Sequence, residues 1–160
     1  MNTQAIRDAA ELLWIIRLRQ ERIDSLPPDL RPATLAEGYA IQDAMVACAR
    51  QPVAGWKIAA TSKAGQAHIG VTEPLAGRLF ADFVLKSGAL LPAKPLHMKV
   101  VEAEFAFRMG RDLPPRAEPY GMAEACRAAE ALHLAIEVPD ARYEDFAHVG
   151  APQIAADDAF

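Results

Sequence analysis

The segment 101–107, VEAEFAF, sets two carboxylates into an apolar run. In a strand successive side chains alternate faces, so Val101, Ala103, Phe105 and Phe107 share one face while Glu102 and Glu104 share the other. Neighbouring carboxylates repel and leave water reluctantly. Such a pair therefore faces either solvent, as the wet side of an antiparallel sheet, or a cation. Glu137, in LAIEVPD, has the same embedded setting between Ile136 and Val138. Three carboxylates converging in a partly dry site need a proton or a cation among them. Oxygen-only donors select hard cations, and Mg²⁺ takes a few carboxylates while keeping waters that a substrate can displace.

Lys57, in GWKI, is a lone cation between apolar residues of an expected strand. A desolvated lysine has a lowered pKa and trades protons, or stays charged opposite a carboxylate; the alternative is an exposed strand position. Thr61 and Ser62 follow at once, as small polar groups suited to an anionic substrate or to a turn. His68, His97, His133 and His148 lack metal-ligand spacing, and Ser62 has no nucleophile elbow around it, so a hydrolase triad is poorly supported. His133 has the strand parity of Glu137 but is expected at a helix-to-strand junction, in a structural role. Arg78, Asp82, Asp140 and Arg142 read as loop charges.

The elements that must position these residues begin with a long amphipathic helix carrying Ile6, Ala9, Ala10, Leu13, Ile16 and Ile23, ended by Pro27-Pro28. Thr34 and Glu37 form a capping box for a second helix with Ile41, Ala44, Met45 and Cys48 on its buried stripe. Beyond Pro52 the texture changes to short apolar runs cut by Gly and Pro: VAGWKIAAT, GRLFADFVL, GALLPA, MKVVEAEFAFRMG and LHLAIEV. One helix, over 122–132, interrupts this β-rich region.

A chain of 160 residues with 52% hydrophobic and 24% charged residues has the composition of one ordinary globular domain. A formal charge of -4, without a basic run, argues against nucleic acid as a partner. Cys48 and Cys126 alone make neither a disulfide framework nor a thiolate metal site, which fits a reducing cytoplasm. No signal peptide opens the sequence and no apolar run is long enough to span a bilayer, so no membrane partner is expected.

Four segments in this order, GWKIAATS (55–62), IGVTEPLAGRLFADF (69–83), VEAEFAFRMGRDLP (101–114) and AIEVPDARYEDF (135–146), resemble the 2-keto-4-pentenoate hydratase branch of the fumarylacetoacetate hydrolase superfamily. The resemblance implies a divalent cation, Mg²⁺ or Mn²⁺, on Glu102, Glu104 and Glu137, and a place for Lys57 beside the substrate. Departures are Ala59 for a frequent glycine, Leu75 where the family commonly has an acid, Ala141 for a serine, and Asp157-Asp158 for an Asp-Asn pair.

The implied fold class is α+β, with an N-terminal helical region (1–51) followed by the first, incomplete part of a mixed β-barrel or roll (52–160). The implied activity is a metal-dependent hydro-lyase adding water to a 2-hydroxydienoate in aromatic catabolism, with Lys57 catalytic and Thr61 and Ser62 binding the 2-oxo acid. A 4-oxalocrotonate decarboxylase shares every motif named. A non-catalytic relative that binds a partner is the third reading. Because relatives continue beyond this length, the resemblance implies an amino-terminal part of a longer protein. The expectations are an exposed sheet edge near Glu137, a homo-oligomer in solution, and a final segment from Val149 to Phe160 left without packing partners.

Overall fold

The computed structural model describes residues 1–158 as two compact units, one comprising Met1–Met98 with the segment from Asp140 onward, the other Lys99–Pro139. Among the described residues, no helix is long and apolar enough to cross a membrane.

In the first unit, helix α1 (Thr3–Arg19) starts at Asn2, whose side chain accepts the Ala5 N–H at 2.8 Å. It buries Ala9, Ala10, Leu13, Trp14 and Ile16, one face at helical spacing. Ile23 does not continue this helix as the apolar spacing suggested. Gln20 turns left-handed (φ 56°) and its N–H returns to the carbonyls of Arg17 and Ile16, closing the helix. Ile23 is then extended and makes a parallel bridge to Tyr143, with hydrogen bonds of 2.9 and 3.0 Å to Arg142 and Glu144.

Helix α2 (Leu35–Ala49) is capped by Thr34, which accepts the Glu37 N–H at 3.2 Å, while Glu37 accepts the N–H of Ala33 at 2.8 Å. Its buried positions include Gly38, Ile41, Gln42 and Met45.

Strands β1 (Val53–Ala59) and β2 (Leu75–Phe80) pair antiparallel, with Trp56 opposite Arg78 and Lys57 opposite Gly77. Between them lies a short helix, α3 (Lys63–His68). The outer edge of β2 is closed by side chains. Tyr39 Oη accepts the Ala76 N–H (3.1 Å), Gln42 donates to the Ala76 carbonyl (3.0 Å), and Asp158 accepts the Arg78 N–H (3.3 Å). Leu13, Trp14, Leu26, Ile41, Met45, Phe80 and Tyr143 form the main core.

One expected run is cut short and another forms no strand. After Phe80 the run FADFVL turns as a single 3-10 turn at Ala81–Phe83. GALLPA joins no strand among the described residues, because Gly88 takes φ +85° and Pro92 has no N–H for a ladder, leaving Leu90 95% exposed.

The final segment also departs from expectation. Residues Ala151–Ala156 form helix α5 against α2, and Gln153 through Asp158 are buried. Gly38 makes this possible, since a Cβ there would collide with the Pro152 carbonyl. Ile154 is fully buried, packed with Leu75 and Ile69. The expectation for Phe160 lies outside the described residues. Arg142 Nε meets Asp157 at 2.7 Å and Arg17 Nη2 lies 3.2 Å from Asp158, so the segment is also tied down by buried ion pairs.

In the second unit, β3 (Glu102–Met109) pairs antiparallel with β4 (Ala129–Glu137), preceded by α4 (Met122–Ala128). The helix expected as far as Leu132 ends four residues sooner than that. Its alanines favour helix, but from Ala129 the alternation Leu132, Leu134, Ile136 matches Phe107, Phe105 and Ala103 across the ladder, and pairing outweighs propensity.

Candidate metal centre

Pairing sets Glu102 directly opposite Glu137, and Glu104, two residues along, opposite Ala135. The period of two therefore brings all three acids to one face of one strand pair. Each offers a carboxylate oxygen, and these oxygens lie within 4.8 Å of one another. Glu102 and Glu104 are exposed and Glu137 is half-buried.

The donor set fits a hard divalent cation. An octahedral Mg²⁺ with bonds of about 2.1 Å holds neighbouring ligand oxygens about 3 Å apart and opposite ones about 4 Å apart. The three carboxylates lie close to that spacing, and rotation about exposed χ angles supplies the rest. Without a counter-charge, three carboxylates at this distance repel, a force that solvent screens only in part.

The same face continues away from the acids. Ala106 pairs with His133 and Arg108 with Ala131. His133 is not at a helix-to-strand junction, as expected from the sequence; it stands in the middle of β4, exposed, on the acid face. The signal for this was its parity with Glu137, masked by the helical propensity of the alanines that precede it. Arg108 Nε is held by Glu130 at 2.5 Å.

Lys57, Thr61 and Ser62 belong to the first unit. Lys57 is half-buried on β1, and its Cε lies 3.0 Å from the position a Cβ on Gly77 would take. The glycine thus leaves the lysine stem room to cross β2. Ser62 is the N-cap of α3, accepting the Gly65 N–H at 3.0 Å, and Thr61 is exposed. Arg78, read as a loop charge, instead lies on β2, stacked 4.5 Å from the Trp56 ring centroid and bound to Gln42 and Asp43. Asp140 accepts the N–H groups of His97 and Met98, each at 2.8 Å. Arg142 and Asp157 are buried together. Asp158 is buried too, and desolvation pushes its carboxyl pKa up, partly opposed by Arg17 and reinforced by Asp157.

No family model matches the chain. Among curated proteins it is similar to 2-keto-4-pentenoate hydratase 2 of Dechloromonas aromatica (strain RCB), with 37% identity over 91% of this chain and 56% of that protein. It is also similar to a 4-oxalocrotonate decarboxylase of a Pseudomonas species, with 33% identity over 66% of this chain and 40% of that one. Among solved structures it matches the 4-oxalocrotonate decarboxylase of Pseudomonas putida G7, complexed with magnesium and adipate. There the TM-score is 0.86 at 23% identity, covering 99% of this chain and 60% of that chain. The chain thus spans about half the length of the curated relatives it matches. The shared fold, and identity that extends along nearly the whole chain, make it a member of the 2-keto-4-pentenoate hydratase branch of the fumarylacetoacetate hydrolase superfamily.

Proposed function

We propose that the chain carries the metal-binding part of a hydro-lyase that adds water to a 2-hydroxydienoate, giving a 4-hydroxy-2-oxo acid. The observation that carries this reading is the meeting of Glu102, Glu104 and Glu137 on one strand pair, in a chain 37% identical to a 2-keto-4-pentenoate hydratase. When bound, Mg²⁺ or Mn²⁺ would supply a Lewis acid for the carboxylate and 2-oxo oxygen of the substrate. The three glutamates hold that charge and, being carboxylates on two strands only, leave the side away from the sheet open. Lys57 is the proposed proton-transfer group at carbon, and Thr61 and Ser62 the proposed hydrogen-bonding groups for the acid. The capping bond of Ser62 uses its oxygen as acceptor and leaves its hydroxyl hydrogen to donate.

A 4-oxalocrotonate decarboxylase is the second reading, favoured by the similarity to such enzymes in sequence and in fold. The same cation and glutamates would serve, with carbon dioxide leaving in place of water adding. We further propose that the sheet of the second unit is an incomplete portion of a barrel-like sheet, and that this chain alone forms homo-oligomers.

Incubation of the purified chain with Mg²⁺ and a 2-hydroxydienoate or 4-oxalocrotonate, with products identified by mass, separates the readings. Hydration product supports the first, loss of carbon dioxide the second. Absence of calorimetric Mg²⁺ binding would remove the basis of both. With metal bound, turnover should disappear in Lys57→Ala while Mg²⁺ affinity is unchanged.

A further inference from the structure

We propose that His133 determines specificity at the far end of the bound acid, selecting a 2-oxo acid with a second carboxylate over one with an apolar tail. The inference rests on the metal reading above and deepens it. The acid face of the hairpin is polarised along its length: Glu102 opposite Glu137, then Glu104 opposite Ala135, then Ala106 opposite His133, then Arg108 opposite Ala131. At about 3.3 Å per residue, the His133 row lies roughly 7 Å beyond the Glu104 row and roughly 13 Å beyond the Glu102 row. A short acid held at one end among the glutamates and lying along the strands reaches the His133 row with its other end.

The side chains on the way are Ala135 and Ala106, which leave the face low and unobstructed. A second carboxylate cannot lie beside the three glutamates without adding to their repulsion, so it is driven to the other end of the face. There His133 offers a ring N–H donor to the second carboxylate. Arg108 lies one row further and its guanidinium is already engaged by Glu130 at 2.5 Å, which leaves His133 as the nearer donor. His133 is exposed and mid-strand, free to meet a ligand on the open side.

The test uses the whole 160-residue chain with two probes of equal length, adipate and hexanoate, which differ only in the far carboxylate. Mg²⁺ alone is titrated first, into wild type, His133→Ala and His133→Asn. Equal Mg²⁺ affinity is expected in all three and serves as the folding control, since His133 is outside the glutamate cluster. At saturating Mg²⁺, wild type should bind adipate about tenfold more tightly than hexanoate. His133→Ala should lose that preference and His133→Asn, which keeps a donor, should recover part of it. Failure of wild type to bind Mg²⁺ overturns the metal reading and this proposal with it. Normal Mg²⁺ binding with no adipate preference, or a preference that survives His133→Ala, overturns the His133 assignment alone.

Discussion

At the scale of single residues, the three glutamates are informative because they are awkward. Carboxylate oxygens within 4.8 Å of one another gain nothing from proximity unless a cation is shared. Replacing Glu104 with Gln should therefore weaken Mg²⁺ binding by at least about tenfold, a loss that even outer partners of metal ligands can cause. Because Glu104 is exposed, stability should change by no more than about 0.5 kcal/mol. Calorimetric titration with a parallel thermal melt checks both, and unchanged affinity would remove Glu104 from the site.

Asp158 makes a different prediction. Its folded-state pKa is raised above the ordinary 3.8 by desolvation first, so the native state holds the proton more tightly than the unfolded chain. Stability contributed at this position accordingly falls as pH rises from 3.8 up through the raised folded-state pKa. Asp158→Asn keeps an oxygen for the Arg78 N–H and abolishes the titration. The melting temperature of the variant relative to wild type should rise as pH climbs through the interval above 3.8, as read from thermal melts across pH. A constant difference at every pH would mean that burial of the charge is not its origin.

At the scale of elements, the first unit depends on close backbone approaches that only glycine allows. A Cβ on Gly77 would fall well inside contact distance of the Asp158 carbonyl, a backbone atom that cannot rotate aside, and 3.0 Å from Lys57 Cε. Gly77→Ala should thus destabilise by about 2–3 kcal/mol, a Tm drop of roughly 5–10 °C for a chain of this size. Gly55 on the paired strand has only Leu79 Cδ1 near, at 3.9 Å, so Gly55→Ala should cost less than about 1 kcal/mol. Equal melting temperatures for the two variants would show that the closing segment does not press on β2. The second unit shows the opposite balance. Ala129 to Ala131 are strand because β3 is there to pair with them, whatever alanine prefers in isolation.

At the scale of the whole molecule, one side of the β3–β4 hairpin remains apolar and open. Phe105, Phe107, Leu134 and Ile136 are 71%, 67%, 83% and 73% exposed, and Ala103, Leu132 and Met109 share their face. Within the described residues these two strands pair only with each other, so their outer edges are also unpaired. A contiguous patch of this kind drives association in water. Light scattering should accordingly report a mass above 17.3 kDa for the purified chain. Phe105→Lys with Leu134→Lys should shift it toward monomer without loss of Mg²⁺ binding, because both residues lie opposite the acid face. A monomeric wild type would show that the patch is tolerated.

The face shared by Glu102 and Glu104 was legible from sequence because it rests on local periodicity. Alternation in VEAEFAF places Glu102 and Glu104 on one face whatever the partner strand is, and the caps at Asn2 and Thr34 act within a single turn. Which acids meet was decided by register, a non-local property: pairing Glu102 with Glu137 brings the third carboxylate in, and the same register carries His133 onto that face. Tertiary context also decided where α4 stops, because alanine-rich segments follow whichever partner is available. The final segment shows the same limit most plainly. Ile154 could be read as awaiting a partner, but Gly38 and Leu75, distant in sequence, supply the space and the apolar contact that bury it. Spacing along a chain determines faces; only folding determines what each face meets.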